Sequence, residues 1–230
     1  MFGVLVNTLA IIAGGSLGLF FRRGLSQRIS QAVMTAIGLS TIYLGITGMM
    51  AGDQAMVIIV SLVLGAALGT FLNIDGAIKR LGQWAENKLK HTQKDGPSIG
   101  EGFVTASLLF CVGSMAIIGS LNAGISGDNT ILFAKSVLDF ISSAMLSLSL
   151  GVGVLLSAGL VLLYQGLIVL LAQVLRPLLS EAAVAQMSSV GAILIFVLGL
   201  NLLQITKIKI ADFLPAIAFA LLLTSLAVLF

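Results

Sequence analysis

Lys135 and Asp139 lie four residues apart in NTILFAKSVLDFISSAM, residues 129–145, a stretch otherwise made of apolar or small residues. An ionisable group near the centre of a bilayer costs at least about 2.5–3.5 kcal/mol on insertion scales, and it usually faces a bundle interior or a water-filled cavity. The i,i+4 spacing puts both charges on one helix face, within reach of each other. If their helix enters the membrane near Asn129, Lys135 is about 9 Å deep and Asp139 about 15 Å, close to the midplane. As a functional pair, Asp139 binds a cation or proton, while Lys135 tunes or competes for it. As a structural pair, the two neutralise each other and pin the helix in its bundle. The sequence leaves both open.

The preceding segment, CVGSMAIIGSLNAGISGDN, offers a second kind of chemistry. Gly113-Ser114 recurs six residues later as Gly119-Ser120, followed by Asn122. Glycine and serine weaken a helix and free backbone carbonyls, and non-helical backbone at membrane depth survives only inside protein or beside water. A broken helix facing Asp139 would give an ion both carbonyl oxygens and a carboxylate. Close helix packing through small residues accounts for the same residue types without any pathway.

The composition demands a membrane around these residues. Hydrophobic residues make up 58% of the 230 and charged residues 9%; the mean hydropathy is +1.14. Soluble domains carry about 25% charged residues. The apolar runs are continuous rather than alternating, which points to helices and not a barrel. The expected fold is therefore all-α: one integral membrane domain over 1–230, a bundle of about eight spans at 2–21, 29–50, 55–74, 102–123, 130–150, 152–175, 188–205 and 210–229. Spans 5 and 6 are separated only by small residues, so either a tight glycine turn or a re-entrant segment fits there.

With eight spans, Arg22, Arg23, Arg28, Lys79, Arg80, Lys88, Lys90, Lys94, Lys207 and Lys209 fall on one side. The positive-inside rule makes that side cytoplasmic and turns both termini outward. A seven-span arrangement would move Lys207 and Lys209 across. The net charge of +3 thus describes topology and is no sign of nucleic-acid binding. No basic stretch precedes the first apolar run, which reads as a retained span and not a signal peptide. Within 75–101, Ile78, Leu81, Trp84, Ala85 and Leu89 recur at helical spacing among Lys and Arg, as in an amphipathic helix lying on the membrane surface.

Arg22-x-x-Leu25-Ser26 followed by Leu44-Gly45 recurs as Arg176-x-x-Leu179-Ser180 followed by Leu198-Gly199, each pair 154 residues apart. Opposite span directions would make this an inverted repeat, a recurring plan of transporters. Gly14-x-x-x-Gly18 and Gly65-x-x-x-Gly69 are helix-contact motifs and would suit contacts within the chain or a homodimer. Asn7, Thr8, Tyr164, Gln165, Gln173 and Asn201 read first as interhelical hydrogen-bonding groups. Pro215 is expected to bend span 8, with Asp212 solvated at its inner end.

Several chemistries are disfavoured. One cysteine, Cys111, and one histidine, His91, are too few for a Cys/His metal site or an intrachain disulfide. No phosphate-binding glycine loop or hydrolase motif is present, so neither cofactor, metal nor catalytic residues are expected, and the chain does not read as an enzyme.

The stretches GVLVNTLAIIAGGSLGLFFRRGLSQRI, CVGSMAIIGSLNAGISGD with LFAKSVLDFISSA, and GVGVLLSAGLVLLYQG resemble the YqgA/YdfK-like family of uncharacterised bacterial inner-membrane proteins. The resemblance implies a multi-pass protein of the bacterial plasma membrane and supplies no substrate. The residues themselves favour a transporter or channel for a small ion or solute, with its pathway around spans 4 and 5. Asp139 would carry the charge, with Lys135 and Ser136 beside it. Gly113, Ser114, Gly119, Ser120 and Asn122 would line the path, and Asn201 completes the set. The deeper charge is acidic, which favours a cation or proton, although Lys135 could equally meet an anion from outside. The competing function is a non-transporting scaffold or regulator whose contact surface is 75–101.

Overall fold

A computed structural model describes residues 1–22, 27–80, 98–176 and 179–227. All regular structure among them is helical. In chain order the helices are α1 (Phe2–Arg22), α2 (Gln27–Met49), α3 (Ala55–Leu72), α4 (Ile99–Cys111), α5 (Ser114–Ile125), α6 (Thr130–Leu150), α7 (Gly153–Leu170), the single turn α8 (Ala172–Leu175), α9 (Glu181–Leu202), a 3-10 turn (Ile210–Phe213) and α10 (Pro215–Ala227). Among the described residues, six helices are long and apolar enough to cross a membrane. The bent pair α4–α5 makes a seventh, and Ile210–Ser225 is a shorter apolar helix. In hydrocarbon every backbone N–H and C=O must be satisfied within the protein, which apolar sequence achieves by coiling.

Local chemistry sets the ends. The Ser98 hydroxyl accepts from the Glu101 N–H at 3.1 Å and starts α4. Ser180 caps α9 in the same way, through the Ala183 N–H at 3.2 Å. Asn73 closes α3 in the left-handed region, at φ 50°. Residues 74–80 then resume as helix; the rest of the expected amphipathic helix, including Trp84, lies outside the described residues. Gly151, at φ 75°, turns the chain between α6 and α7, so these are two spans joined by a tight glycine turn.

Pairwise contacts fix the direction of every span. On α1, Gly3 approaches Leu132, Gly14 approaches Phe140 and Gly18 approaches Ala144, so α1 and α6 run parallel. Gly102 meets Leu150 and Gly153, and Gly124 meets Val169 and Ala172, so α4–α5 runs parallel to α7. Asn7 pairs with Gln165 and Gly15 with Leu155, so α1 and α7 are antiparallel. Gly38, Gly45 and Gly48 meet Leu203, Phe196 and Ala192, which makes α2 and α9 antiparallel. Gly65 on Ala216 and Gly69 on Asp212 do the same for α3 and α10. The short connections cannot recross the roughly 30 Å hydrocarbon layer, and across the long 73–98 connection the same contacts set α4–α5 opposite to α1, so the segments alternate from α1 to α10, with α4–α5 as one crossing. Lys79, Lys207 and Lys209 line one cavity and therefore share one end of the bundle.

The 154-residue repeat has a geometric counterpart. The shift carries α2 onto 181–203, where α9 lies, and α3 onto 209–226, where the 3-10 turn and α10 lie. A Cβ on Gly45 would sit 2.6 Å from the Phe196 backbone, and one on Gly199 would sit 2.6 Å from Ile42 Cγ1. Gly45 and Gly199, like Ile42 and Phe196, are 154 apart, so each close approach exchanges into the other. The partners run in opposite directions, so the repeat is inverted.

α9 is the enclosed centre: 72% of its apolar window is buried, against 17% for α3 at the periphery. Its start is clamped to the α2–α3 turn by Gln186 Nε2 donating to Asp53 (2.9 Å) and Ser189 Oγ donating to Met49 O (2.7 Å). Three expectations are corrected. Pro215 opens α10 rather than bending it, because its missing N–H costs nothing in a first turn. Asp212 is buried, accepting from the Asp75 N–H at 2.9 Å, and is not solvated. Asn201 bonds within its own loop, to Thr206 (2.6 Å) and Ile208 (2.8 and 3.1 Å), and not to another helix.

Both small-residue motifs are occupied inside the chain. Gly14 and Gly18 lie on the α6 carbonyls of Phe140 and Ala144, while Gly65 and Gly69 lie on Ala216 and Asp212; they offer no free face to a second copy. A Gly14→Val side chain would overlap the Phe140 carbonyl and the Ser143 hydroxyl. Overpacking of this kind costs about 1–3 kcal/mol, which should appear as a lower unfolding temperature in detergent. Gly159→Ala, where a Cβ meets nothing within 4 Å, should leave that temperature unchanged or raise it.

Candidate functional site

α6 presents Lys135 and Asp139 inward, 6% and 5% exposed, with the ammonium bonded to Asp139 Oδ2. Ser136, between them in sequence, donates to Leu132 O at 2.7 Å and stays within its own helix. Three other helices converge on the pair. Phe110, in the last turn of α4, lies under Lys135 Nζ at 5.9 Å from the ring centre, close enough for a cation–π attraction. Asn7 of α1 brings its side-chain amide to the Asp139 carboxylate. The same amide donates to Gln165 Oε1 of α7 at 3.2 Å. Asn7 and Gln165 are fully buried, and Asn7 Oδ1 and Gln165 Nε2 have no partner. A charged and amide-rich cluster therefore sits deep in the bundle with hydrogen-bonding capacity to spare.

The pair faces a cavity of about 370 Å³ walled by α2 (Ile37, Thr41, Leu44), by the facing ends of α4 and α5 (Phe110, Val112, Gly113, Ala116) and by α6. The α4–α5 break borders this cavity. The two helices meet at 59°, and Gly113 bridges them at φ 130°. A Cβ at Gly113 would find open space, so backbone conformation and not crowding demands glycine there. Val112 projects into a notch on α9 that exists because Gly191 has no Cβ. A break leaves carbonyls free at the end of α4 and N–H groups free at the start of α5. These ends carry partial negative and positive charge.

Val112 and Gly113 also wall a second cavity, of about 320 Å³ and almost wholly apolar, with Cys111, Tyr164, Ser107 and Ser188 at its margins. The Ser107 and Ser188 hydroxyls are buried without partners. Ile78 and Val104 in turn separate this second cavity from a polar third one, bordered by Glu101, Asn201, Lys79, Lys207 and Lys209. Three cavities thus run in series from the lysine-rich end to the buried pair, each sharing two wall residues with the next.

The sequence-derived residues divide accordingly. Gly113, Lys135 and Asp139 share one cavity, with Ser136 beside them. Ser114 begins α5, and its side chain lies outside the described part. Gly119 packs on Ile131 and Leu132. Ser120 donates to Ala116 O at 2.7 Å, and the Asn122 carbonyl receives Ser126. These three do not border the charged cavity and serve packing and helix ends. Asn201 lies in the third cavity. Phe110 and the Asn7–Asp139 contact were not foreseen. Two amides in otherwise apolar spans were the available signal for Asn7 and Gln165; nothing in the sequence marked Phe110. At the entrance to α6, outside the membrane core, the Thr130 hydroxyl (2.7 Å) and N–H (2.9 Å) donate to Asp128 and hold its carboxyl below the usual range.

A model of the family described as Protein of unknown function (DUF554) matches residues 2–225. The uncharacterized membrane protein YdfK of Bacillus subtilis (strain 168) is 34% identical over 221 residues, 94% of this chain and 93% of that protein. The uncharacterized protein YqgA of Escherichia coli (strain K12) is 28% identical over 225 residues, 97% of this chain and 96% of that protein. No solved structure matches.

Removing one member of the pair strands the other in a low-dielectric interior. Lys135→Met or Asp139→Leu alone should cost about 3–5 kcal/mol, and the double substitution should recover most of it. Thermal unfolding of the four proteins in one detergent measures the non-additivity.

Proposed function

The chain belongs to this family of unknown function, and from that premise we propose that it moves a small ion or solute across the bacterial inner membrane, driven by a gradient and without a catalytic step. One observation carries the proposal: a buried, mutually neutralised charge pair lines a cavity at a broken span, the middle of which separates it from further cavities reaching the lysine-rich end. Broken helices beside buried charge are how transporters place a site near mid-membrane, and the inverted repeat fits the same plan. Asp139 and Lys135 would bind the passing charge. Val112–Gly113 would part the charged chamber from the rest. Both termini would face outward and the basic loops inward. A reporter active only outside the cytoplasm, fused to the C-terminus, should be active, and the same reporter in the 75–101 segment should be silent.

A scaffold is the competing function. It is favoured by the completeness of the pair, in which each charge has a partner and Lys135 has a ring beneath it. Charge movement in proteoliposomes on a solid-supported membrane separates the two, using a panel of small cations and anions with zwitterionic solutes added. Transport predicts a current or solute flux in wild type that a folded Asp139→Asn protein lacks. A scaffold predicts neither in any condition, and loss of function from changes in 75–101.

A further inference from the structure

We propose that the ligand of the charged cavity is a small α-amino zwitterion with an apolar side chain, its carboxylate received by Lys135 and its ammonium by Asp139. This rests on the transport reading above and names the solute. Charge balance is the first ground. The pair is net neutral and almost fully buried. An inorganic cation or a proton arriving at Asp139 frees Lys135 with no counter-charge, and an anion arriving at Lys135 frees Asp139. An unpaired charge in such surroundings is strongly unfavourable. A zwitterion replaces both lost partners at once, so the net charge of the cavity never changes.

The half-helices bring both backbone polarities to the same cavity. Leu109 and Phe110 bring the carbonyl end of α4 to the cavity, while Met115 and Ala116 bring the N–H end of α5. The first suits an ammonium and the second a carboxylate. The remaining walls are apolar, among them Ile37, Leu44, Leu138 and Met145. The volume of about 370 Å³ is more than twice the roughly 150 Å³ that holds a benzene. A side chain from leucine to phenylalanine in size fits beside the two charged ends.

A charge-deletion series tests the proposal on the full-length protein in nanodiscs. The probes are leucine, phenylalanine, 4-methylpentanoate (leucine without its ammonium) and 3-methylbutylamine (leucine without its carboxylate), with sodium, potassium and chloride alongside. Binding is read by calorimetry and by the rise in unfolding temperature, and tracer exchange of leucine is read in proteoliposomes. Leucine and phenylalanine should bind at least tenfold more tightly than either single-charge analogue. Lys135→Met should erase the preference for leucine over the amine. Asp139→Asn should erase the preference for leucine over the acid. Lys135→Met/Asp139→Leu, expected to fold, should bind none of them. Equal binding of the analogues, or an inorganic-ion current that Asp139→Asn abolishes without any leucine binding, overturns the zwitterion and leaves transport standing. No binding and no flux for any probe overturns both.

Discussion

Backbone contact between α1 and α6 is the constraint on which the rest of the bundle depends. Gly14 and Gly18 let α1 lie directly on the Phe140 and Ala144 carbonyls. At that separation the two helices cannot slide past one another without a side chain meeting a peptide group. The register so fixed brings Asn7 to Asp139 and, through Gln165, ties α7 into the same layer. It also sets α1 and α6 parallel, which makes α4–α5 cross the membrane instead of doubling back. In a membrane, helices gain little from hiding apolar surface from each other, so such close packing carries more of the stability than it would in water.

Much of this was legible in the sequence because membrane constraints are blunt. Continuous apolar runs gave the spans, and Gly113-Ser114 marked a break where α4 gives way to α5, whereas Gly119-Ser120 lies inside α5. The glycine turn at 151 was one of two expected solutions. The charge pair was visible as a pair. What the sequence hid was partnership. Gly14 and Gly65 announced contacts but not with whom. Phe110 looked like any apolar residue until the bend placed it under Lys135. Asp212 and Pro215 were misjudged because span 8 begins later than its hydropathy suggested, so a proline expected mid-helix occupies a first turn and an aspartate expected in water lies beneath residue 75. Asn201 was assigned to a neighbouring helix when its loop claimed all of its hydrogen bonds.

The inverted repeat accounts for the pairing pattern as a whole. α1, α2 and α3 correspond to α7, α9 and α10, and each packs against its own counterpart. The two unmatched elements obey the same exchange: α6 lies parallel to α1, and α4–α5 lies parallel to α7. The difference between them is the break. α6 carries its polarity as side-chain charges on an unbroken helix, whereas α4–α5 carries it as exposed helix ends. Side-chain charge and backbone dipole therefore meet in one chamber, each supplied by one half of the molecule.

The pseudo-symmetry has a consequence for how the chain enters a membrane. Turned upside down, the bundle presents nearly the same arrangement of helices to the lipid, so packing scarcely distinguishes one insertion from its mirror. The decision falls to charges outside the spans, of which Lys79, Lys207 and Lys209 share one end. A handful of charge substitutions at that end, away from the buried pair, would thus be enough to redirect the whole molecule during biosynthesis. The fold is written in glycines, and its heading in the membrane is written in charge.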